Sequence, residues 1–169
     1  MNPTGEIEVR RGTEDDLEAL NELYNHYVVS SAVTFDVEQI TREQREVWFR
    51  AFDTHGPHQL FVATRETELV GFACSKSFRQ KAAYATSVET TIYLAPGEGG
   101  GGTGSRLYGA LFEALASEDV HRAYAGITLP NDASVALHTR FTFRDVGTYA
   151  EVGRKFGRYH SVRWMEKAL

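Results

Sequence analysis

A run of glycines is the feature of this sequence with the clearest chemical use. Six of the chain's 15 glycines lie between Gly97 and Gly104, after a predicted strand and before a predicted helix. Free main-chain N–H groups at the start of a helix, together with the positive end of its dipole, favour phosphate and pyrophosphate groups. The spacing therefore predicts an anion-binding loop. Its residues are Gly99, Gly100, Gly101, Gly102, Thr103, Gly104 and Ser105.

Three other interpretations of this loop are open. A P-loop closes on Gly-Lys-Ser/Thr, whereas Gly104-Ser105 lacks the lysine that neutralises phosphate charge. The spacing of Gly99, Gly101 and Gly104 satisfies the dinucleotide pattern G-x-G-x-x-G, but the next predicted strand ends in Leu-Pro-Asn and not in an acidic residue. A mobile surface loop without a ligand is the third alternative.

Glu89 lies in the middle of a predicted strand, residues 86–94. The alternation of a strand puts Glu89 and Tyr93 on one face and Val88 and Ile92 on the other. A carboxylate inside a sheet covered on both faces must be paired, hydrated in a cleft, or raised in pKa, and a raised pKa suits a general base. A carboxylate that faces solvent, or one neutralised by an arginine, fits these residues equally well.

A histidine follows at helical spacing from a turn. In a helix that begins near Asp132, the residues Asn131, Val135 and His138 share one side. The imidazole therefore points towards whatever the Asn131 turn contacts, where it could act as an acid or orient another group. A satisfied, partly buried histidine is the alternative.

Several separated segments, in this order, resemble the GNAT superfamily of N-acetyltransferases, and within it the phosphinothricin and methionine sulfoximine acetyltransferase branch. The glycine loop is similar to the superfamily's Q/R-x-x-G-x-G/A loop, whose amides hold the pyrophosphate of coenzyme A. The resemblance covers nearly the whole chain. Its other segments are residues 24–29 with 34–35, residues 88–94, residues 129–138, and residues 155–158.

The resemblance implies acetyl-CoA as co-substrate and no metal. It implies Glu89 as general base, directly or through water, and His138 as an acid or orienting group. Main-chain groups of Ile92, Tyr93 and Leu94 would hold the pantetheine arm and polarise the thioester carbonyl, and Asn131 would contact the cofactor.

The resemblance also implies an acceptor site and a homodimer. Arg79 and Lys81 would supply the cation for an acceptor's carboxylate, with Lys81 in place of the more usual arginine. Solvated loop charges are the alternative. The implied acceptor-binding residues are Phe35, Arg79, Lys81, Tyr84 and Val88.

Two departures from the family pattern stand out. Gly99 replaces a glutamine or arginine, and Gly100 and Gly101 replace basic residues, so side-chain contacts to the pyrophosphate are missing and weaker cofactor binding is expected. Thr142-Phe143 stands where the family commonly has Gly-Phe, which predicts a weaker helix C-cap.

The hydrophobic pattern around these residues predicts the order βααβββαβαββ. It indicates one α/β (α+β) domain, residues 1–169, with a mixed, mostly antiparallel central sheet and helices on both faces, and the resemblance implies that this is the GNAT fold. The predicted strands are residues 7–10, 60–64, 69–77, 86–94, 122–129, 146–152 and 162–165. The predicted helices run from a capping box at Thr13 and Asp16 to about Tyr27, from Thr41 to about residue 53, over residues 104–117, and over residues 132–140.

Composition narrows the choice of partners. The net charge of −5 at pH 7 and the pI of about 5.7 disfavour nucleic-acid binding, which needs a basic face. A single cysteine, Cys74, excludes an intramolecular disulfide and a cysteine-based zinc site. No apolar run approaches the ~18 residues of a membrane span, and the first residues show no signal-peptide core. We therefore expect a cytoplasmic protein with a small-molecule or protein partner and no membrane contact.

The resemblance implies transfer of an acetyl group from acetyl-CoA to the amine of a small, amino-acid-like compound. Acetylation of a protein or peptide amine is one alternative. A non-catalytic sensor of acyl-CoA, suggested by the reduced side chains at residues 99–101, is the other.

Overall fold

The computed structural model describes residues 5–169, in which seven strands form one mixed sheet in the order β1-β2-β3-β4-β5-β7-β6. Only the β4–β5 pair is parallel. The predicted fold class and element order are confirmed. The strands are β1 Ile7–Arg11, β2 Leu60–Arg65, β3 Glu68–Ser77, β4 Ser87–Leu94, β5 Arg122–Thr128, β6 Arg144–Lys155 and β7 Arg158–Ala168.

Four α-helices cover the two faces of this sheet. They are α1 Leu17–Ser30, α2 Arg42–Phe49, α3 Thr103–Leu115 and α4 Asp132–Arg140. Leu107 and Leu111 of α3 pack with Val88 in one buried cluster, to which α4 adds partly buried residues. Leu20 of α1 packs with Phe72 in a second cluster, against which side chains of α2 lie. The sheet is thus covered on both faces, as the sequence predicted.

Several boundaries differ from the sequence prediction, and α2 ends at Phe49, short of residue 53. Thr13 and Asp16 open a 3-10 turn, and α1 begins only at Leu17. Strands β6 and β7 are longer than predicted. Nearly all of β6 is exposed, so its sequence lacks the alternation of buried and exposed residues that marks the ends of other strands.

The pairing of β4 changes along its length. Its pairing with β3 continues from Ser77↔Val88 to Gly71↔Leu94. Its pairing with β5 covers only Ser87, Val88 and Glu89. Beyond Glu89 the two strands diverge, so main-chain groups of β4 that face β5 have no strand partner and border an opening in the sheet.

The connection between α1 and α2 is fixed to α1 by side-chain amides. Asn25 donates to the Ile40 carbonyl at 2.9 Å and accepts from its N–H at 2.8 Å, and Asn21 donates to the same carbonyl at 3.1 Å. Thr41 then caps α2 by accepting from the Gln44 N–H at 3.3 Å, as predicted. These contacts place α2 beside the opening.

Candidate active site

A cavity of about 940 Å³ occupies the opening between β4 and β5. Its walls come from α1, the α1–α2 connection, α2, β3, the glycine loop, the start of α3 and α4. A cavity of this size is in the range of small-molecule and cofactor sites. The predicted residues that line it are Phe35, Glu89, Ile92, Tyr93, Leu94, Gly99, Gly100, Gly102, Gly104, Ser105, Asn131 and His138.

Glu89 is a half-buried carboxylate in this cavity. No hydrogen bond or salt bridge within residues 5–169 includes its side chain. Burial raises the pKa of Glu89, while the positive charges of Lys76 and Arg79 lower it. Lys76 lies directly opposite Glu89 in the β3–β4 register and also lines the cavity. The arrangement suits a base that binds and releases a proton nearer to neutral pH than an exposed glutamate does.

The glycine loop has a backbone that favours glycine at defined positions. Gly97, Gly100 and Gly102 have φ values of +87°, +83° and +88°, a region that other residues rarely adopt. A Cβ added at any residue from 99 to 102 would meet no heavy atom within 4 Å. The loop is therefore open towards the cavity and solvent.

The start of α3 leaves donors free for an anion. The first helical bond there runs from the Arg106 N–H to the Gly102 carbonyl at 3.0 Å. The N–H groups of Thr103, Gly104 and Ser105 have no hydrogen-bond partner within residues 5–169. Thr103 itself is 1% exposed and does not line the cavity with its side chain, and Gly101 is also outside the lining.

The one carboxylate of the loop is neutralised. Glu98 forms a two-pronged pair with Arg65 of β2, with Nη2 and Oε2 2.8 Å apart. The pKa of Glu98 is lowered chiefly by this hydrogen bond. A nearby negative charge would oppose phosphate binding, so this pair preserves the positive potential at the N-terminus of α3.

The β4 edge and the turn before α4 contribute polar main-chain groups. Tyr27 of α1 donates its hydroxyl to the Leu94 carbonyl at 2.6 Å, which fixes the end of β4 against α1. Asn131 caps α4, because its Oδ1 accepts from the Ser134 N–H at 3.1 Å. Both elements face the cavity from opposite sides of the opening.

His138 is 2% exposed, and both of its ring nitrogens are engaged. Nδ1 lies 2.7 Å from the Ser134 carbonyl, and Nε2 lies 2.8 Å from the Tyr108 hydroxyl. A carbonyl can only accept, so Nδ1 donates to it and Nε2 accepts from Tyr108. Burial lowers the pKa of His138 and raises the pKa of Tyr108. The imidazole is therefore a neutral group joined to a hydroxyl that also lines the cavity.

Four predicted acceptor residues lie outside the lining of this cavity. Arg79 is exposed and stacks on the Phe78 ring at 4.4 Å, and Tyr84 meets the same ring edge-on at 6.0 Å. Lys81 is exposed in the same loop. Val88 is wholly buried against α3, on the face of β4 opposite Glu89. Its side chain points away from an acceptor beside Glu89, and a contact of Val88 with the acceptor stays a prediction.

Phe35 does line the cavity, and its ring occupies space that a side chain at Gly153 would fill. A Cβ at Gly153 of β6 would overlap the Phe35 ring. Next to it, Lys155 donates its ammonium group to the Thr34 carbonyl at 2.8 Å. The C-terminal hairpin thereby fixes the α1–α2 connection over the cavity.

Several cavity residues were missed by sequence analysis. Tyr108 follows the predicted apolar stripe of α3, where an aromatic residue indicates only packing. Lys76 shares a strand face with Cys74 opposite Glu89, a placement that the β3–β4 register decides. Arg45 belongs to α2, and its approach to the sheet depends on how that helix packs.

Within residues 5–169, no group of three or more histidine, cysteine, aspartate or glutamate side chains is arranged to hold a metal ion. Among the helices of the described part of the chain, none has the length and apolar character required to cross a membrane.

The mixed sheet and the cavity beside β4 suit a protein that binds a small molecule there, and comparison with known proteins identifies the family. Residues 18–143 match the model of the acetyltransferase (GNAT) family. The chain belongs to this family and is an acetyltransferase.

Two relatives point to one branch of the family. The chain is 57% identical to a phosphinothricin N-acetyltransferase of Streptomyces coelicolor, over the full length of both proteins. It is 29% identical to an L-methionine sulfoximine/L-methionine sulfone acetyltransferase of Pseudomonas paraeruginosa, over 91% of this chain and 90% of the relative. The predicted resemblance to this branch is confirmed.

Solved structures agree with this assignment. The structure of yncA from Salmonella typhimurium with its cofactor acetyl-CoA superimposes with a TM-score of 0.90 at 26% identity, covering 96% of this chain and 94% of that one. A phosphinothricin acetyltransferase from Sinorhizobium meliloti in complex with acetyl-CoA gives a TM-score of 0.89 at 27% identity, covering 96% and 88%.

Proposed function

We propose that this enzyme transfers the acetyl group of acetyl-CoA to the amine of a small amino-acid-like acceptor of the phosphinothricin, methionine sulfoximine or methionine sulfone type. One observation carries the proposal: an unpaired, half-buried Glu89 shares a cavity with a helix N-terminus that has free N–H groups. The names of the relatives support the acceptor class.

The described residues fit the carrier. The pyrophosphate would bind at the N–H groups of residues 103–105, where Arg65 neutralises Glu98. The pantetheine arm would lie along β4 beyond Glu89, where main-chain groups have no strand partner. The thioester then lies near Glu89.

The chemistry needs only modest help from a base. An α-amino group has a pKa near 8, so roughly a tenth of it is neutral at pH 7. Glu89 takes one proton from the ammonium, the neutral nitrogen attacks the thioester carbon, the new C–N bond forms, and the C–S bond breaks. The nitrogen loses its second proton as the amide forms, and the sulfur, which leaves with the electron pair of the broken bond, takes up that proton and becomes a thiol. We propose that Tyr108 and His138, which are hydrogen-bonded to each other in the cavity wall, orient this transfer.

We propose a homodimer as the functional unit. Five large hydrophobic residues of the β6–β7 hairpin are each more than half exposed: Val146, Tyr149, Val152, Phe156 and Tyr159. Apolar exposure on this scale marks an interaction surface. The resembling branch builds its acceptor site near a subunit interface, so Arg79, Lys81 and Tyr84 stay candidates for contact with an acceptor there. Sedimentation should give twice the mass of the chain, and a monomer at micromolar concentration would contradict the dimer.

An acceptor panel tests the proposed function. Purified enzyme with acetyl-CoA should acetylate free phosphinothricin and methionine sulfone with a higher kcat/KM than it shows for short peptides with the same N-terminal residues. Faster acetylation of peptides would favour the protein or peptide alternative. Binding of CoA without transfer to any amine would contradict the proposal. A cytoplasmic location and the lack of a nucleic-acid partner stay predictions.

The role of Glu89 is tested by a pH profile. Glu89→Gln should lower kcat/KM most at low pH, where the acceptor amine is protonated, and less at high pH. Asp36→Asn is the matched control, because Asp36 also lines the cavity but accepts a hydrogen bond from Tyr24 at 2.5 Å. It should leave the shape of the profile unchanged. A loss in Glu89→Gln that is independent of pH would refute a base.

A further inference from the structure

Arg45 is a buried cation in the wall of the candidate active site. It is 3% exposed and is the one buried residue of α2, yet it lines the cavity. Its guanidinium stacks on the Tyr24 ring at 4.7 Å and on the Trp48 ring at 4.5 Å. These two rings hold the side chain in one orientation, with a cation–π contribution from each.

The charge of Arg45 has no counter-charge in contact. Its Nε donates to the Asn21 side-chain oxygen at 3.3 Å, and its two Nη groups donate to no atom of residues 5–169. None of the salt bridges found in this part of the chain includes it. Asp36 also lines the cavity, but its carboxylate accepts a hydrogen bond from the Tyr24 hydroxyl and forms no salt bridge with Arg45. Arginine stays protonated in proteins, and buried charges are normally paired.

The position of Arg45 separates it from Glu89 along the cavity. The Tyr24 ring on which it stacks contacts the Tyr93 ring at 5.4 Å, and Tyr93 is four residues beyond Glu89 on the same face of β4. Four strand residues span roughly 13 Å. Lys76 lies directly opposite Glu89 in the β3–β4 register, and its ammonium is 5.9 Å from the Trp48 ring.

An acceptor whose amine is at Glu89 therefore has a cation beside the amine and a second cation further away. Lys76 is placed for the α-carboxylate. Arg45 is placed for a group at the far end of the acceptor side chain, where two free Nη groups match the two oxygens of a carboxylate, phosphinate or phosphonate.

We propose that Arg45 binds the distal acidic group of the acceptor, and that it makes this enzyme prefer amino acids with an anionic end group over those with a neutral one. The inference rests on the proposed acetylation of small amino acids, and deepens it. It assigns the specificity of the site to a helix that packs on the sheet rather than to the β3–β4 loop.

Steady-state kinetics on two acceptors tests the assignment. Phosphinothricin has an anionic phosphinate at its end, methionine sulfone has a neutral sulfone, and both have the same α-amino and α-carboxylate groups. In Arg45→Gln, KM for phosphinothricin should rise roughly 10- to 100-fold, the loss expected for a charged hydrogen bond. KM for methionine sulfone should rise less, by roughly 2- to 10-fold at most, since a neutral acceptor makes a weaker hydrogen bond.

Two further variants separate binding from packing. Arg45→Lys keeps a cation and should recover part of the preference for phosphinothricin. Arg50→Gln makes the same change at the exposed C-cap of the same helix and should have no effect. KM for acetyl-CoA, and the thermal midpoint of the acetyl-CoA complex, report whether the cavity is intact.

Three results would overturn the proposal. They are an equal rise in KM for both acceptors, no rise for phosphinothricin, and a wild-type enzyme that acetylates methionine sulfone with the higher kcat/KM. The failure of the proposed function looks different, because the wild-type enzyme would then acetylate neither amino acid.

Discussion

A basic side chain can be restored to the glycine loop without strain at Gly99 or at Gly101. At Gly101 an added Cβ meets nothing within 4 Å and φ is not positive, whereas at Gly100 the space is equally open but φ is +83°. We therefore expect Gly101→Arg to fold normally and to place a guanidinium beside the proposed pyrophosphate site. Gly100→Arg adds the same charge to a backbone that only glycine adopts readily.

The expected gain follows from the exposure of the loop. An exposed ion pair contributes about 0.3–1 kcal/mol, which corresponds to a roughly two- to fivefold lower dissociation constant for CoA. The gain should vanish near 1 M salt, where the screening length is about 3 Å. Gly100→Arg should instead cost about 1–2 kcal/mol of folding free energy, which lowers the melting temperature by roughly 2–8 °C in a chain of this length.

Titration calorimetry with CoA at low and high salt measures this directly, with differential scanning calorimetry for stability. Gly101→Gln, which has a neutral side chain of similar reach, is the matched control and should bind CoA as the wild type does. If Gly101→Arg binds CoA no better than Gly101→Gln at low salt, the pyrophosphate does not bind at this loop, and the proposed site for the carrier is refuted.

Three further predictions concern the buried groups around the cavity. Tyr108→Phe leaves the Nε2 atom of His138 without a donor and should lower the free energy of unfolding by about 1–3 kcal/mol in urea titrations; an unchanged value would contradict the hydrogen bond. Burial lowers the pKa of His138 below its ordinary value of 6.5, so below that pH the unfolded chain binds a proton that the folded chain does not. The free energy of unfolding should therefore decrease as the pH is lowered through this range. His138→Gln should make the free energy of unfolding depend less on pH. Burial raises the pKa of Cys74 to about 12, so Cys74→Ala should keep most of its turnover, and a near-complete loss would indicate a thiol nucleophile.

The fold and the chemistry of single elements could be predicted from the sequence, because they follow local rules. Alternation of residue types located β4 and the face of Glu89, and the glycine run with its following helix located the glycine loop at the start of α3. The ends of β6 could not be predicted, since a strand exposed on both faces has no buried alternation. β4 and the glycine loop could be located because their patterns depend only on residues close in sequence, whereas the ends of β6 depend on its pairing with β7.

The composition of the cavity wall depends on tertiary packing, which the sequence pattern does not show. Arg45 lies three residues before Trp48 on an exposed helix and becomes buried only when α2 packs on the sheet. Val88 immediately precedes Glu89 in β4, but its own side chain faces α3. Arg79 and Lys81 have the right charge, but in one chain their loop stays outside the lining.

The divergence of β4 from β5 at Glu89 would also limit how a pantetheine arm bound along β4 can move. Hydrogen-bonding groups on one side of a strand recur every second residue, so an extended arm laid along β4 can shift only in steps of roughly 7 Å. One such slip would carry a reactive group out of reach of the Glu89 carboxylate. A pyrophosphate bound at the start of α3 would prevent that shift. The distance from the start of α3 to Glu89 would then select carriers whose arm has the matching length.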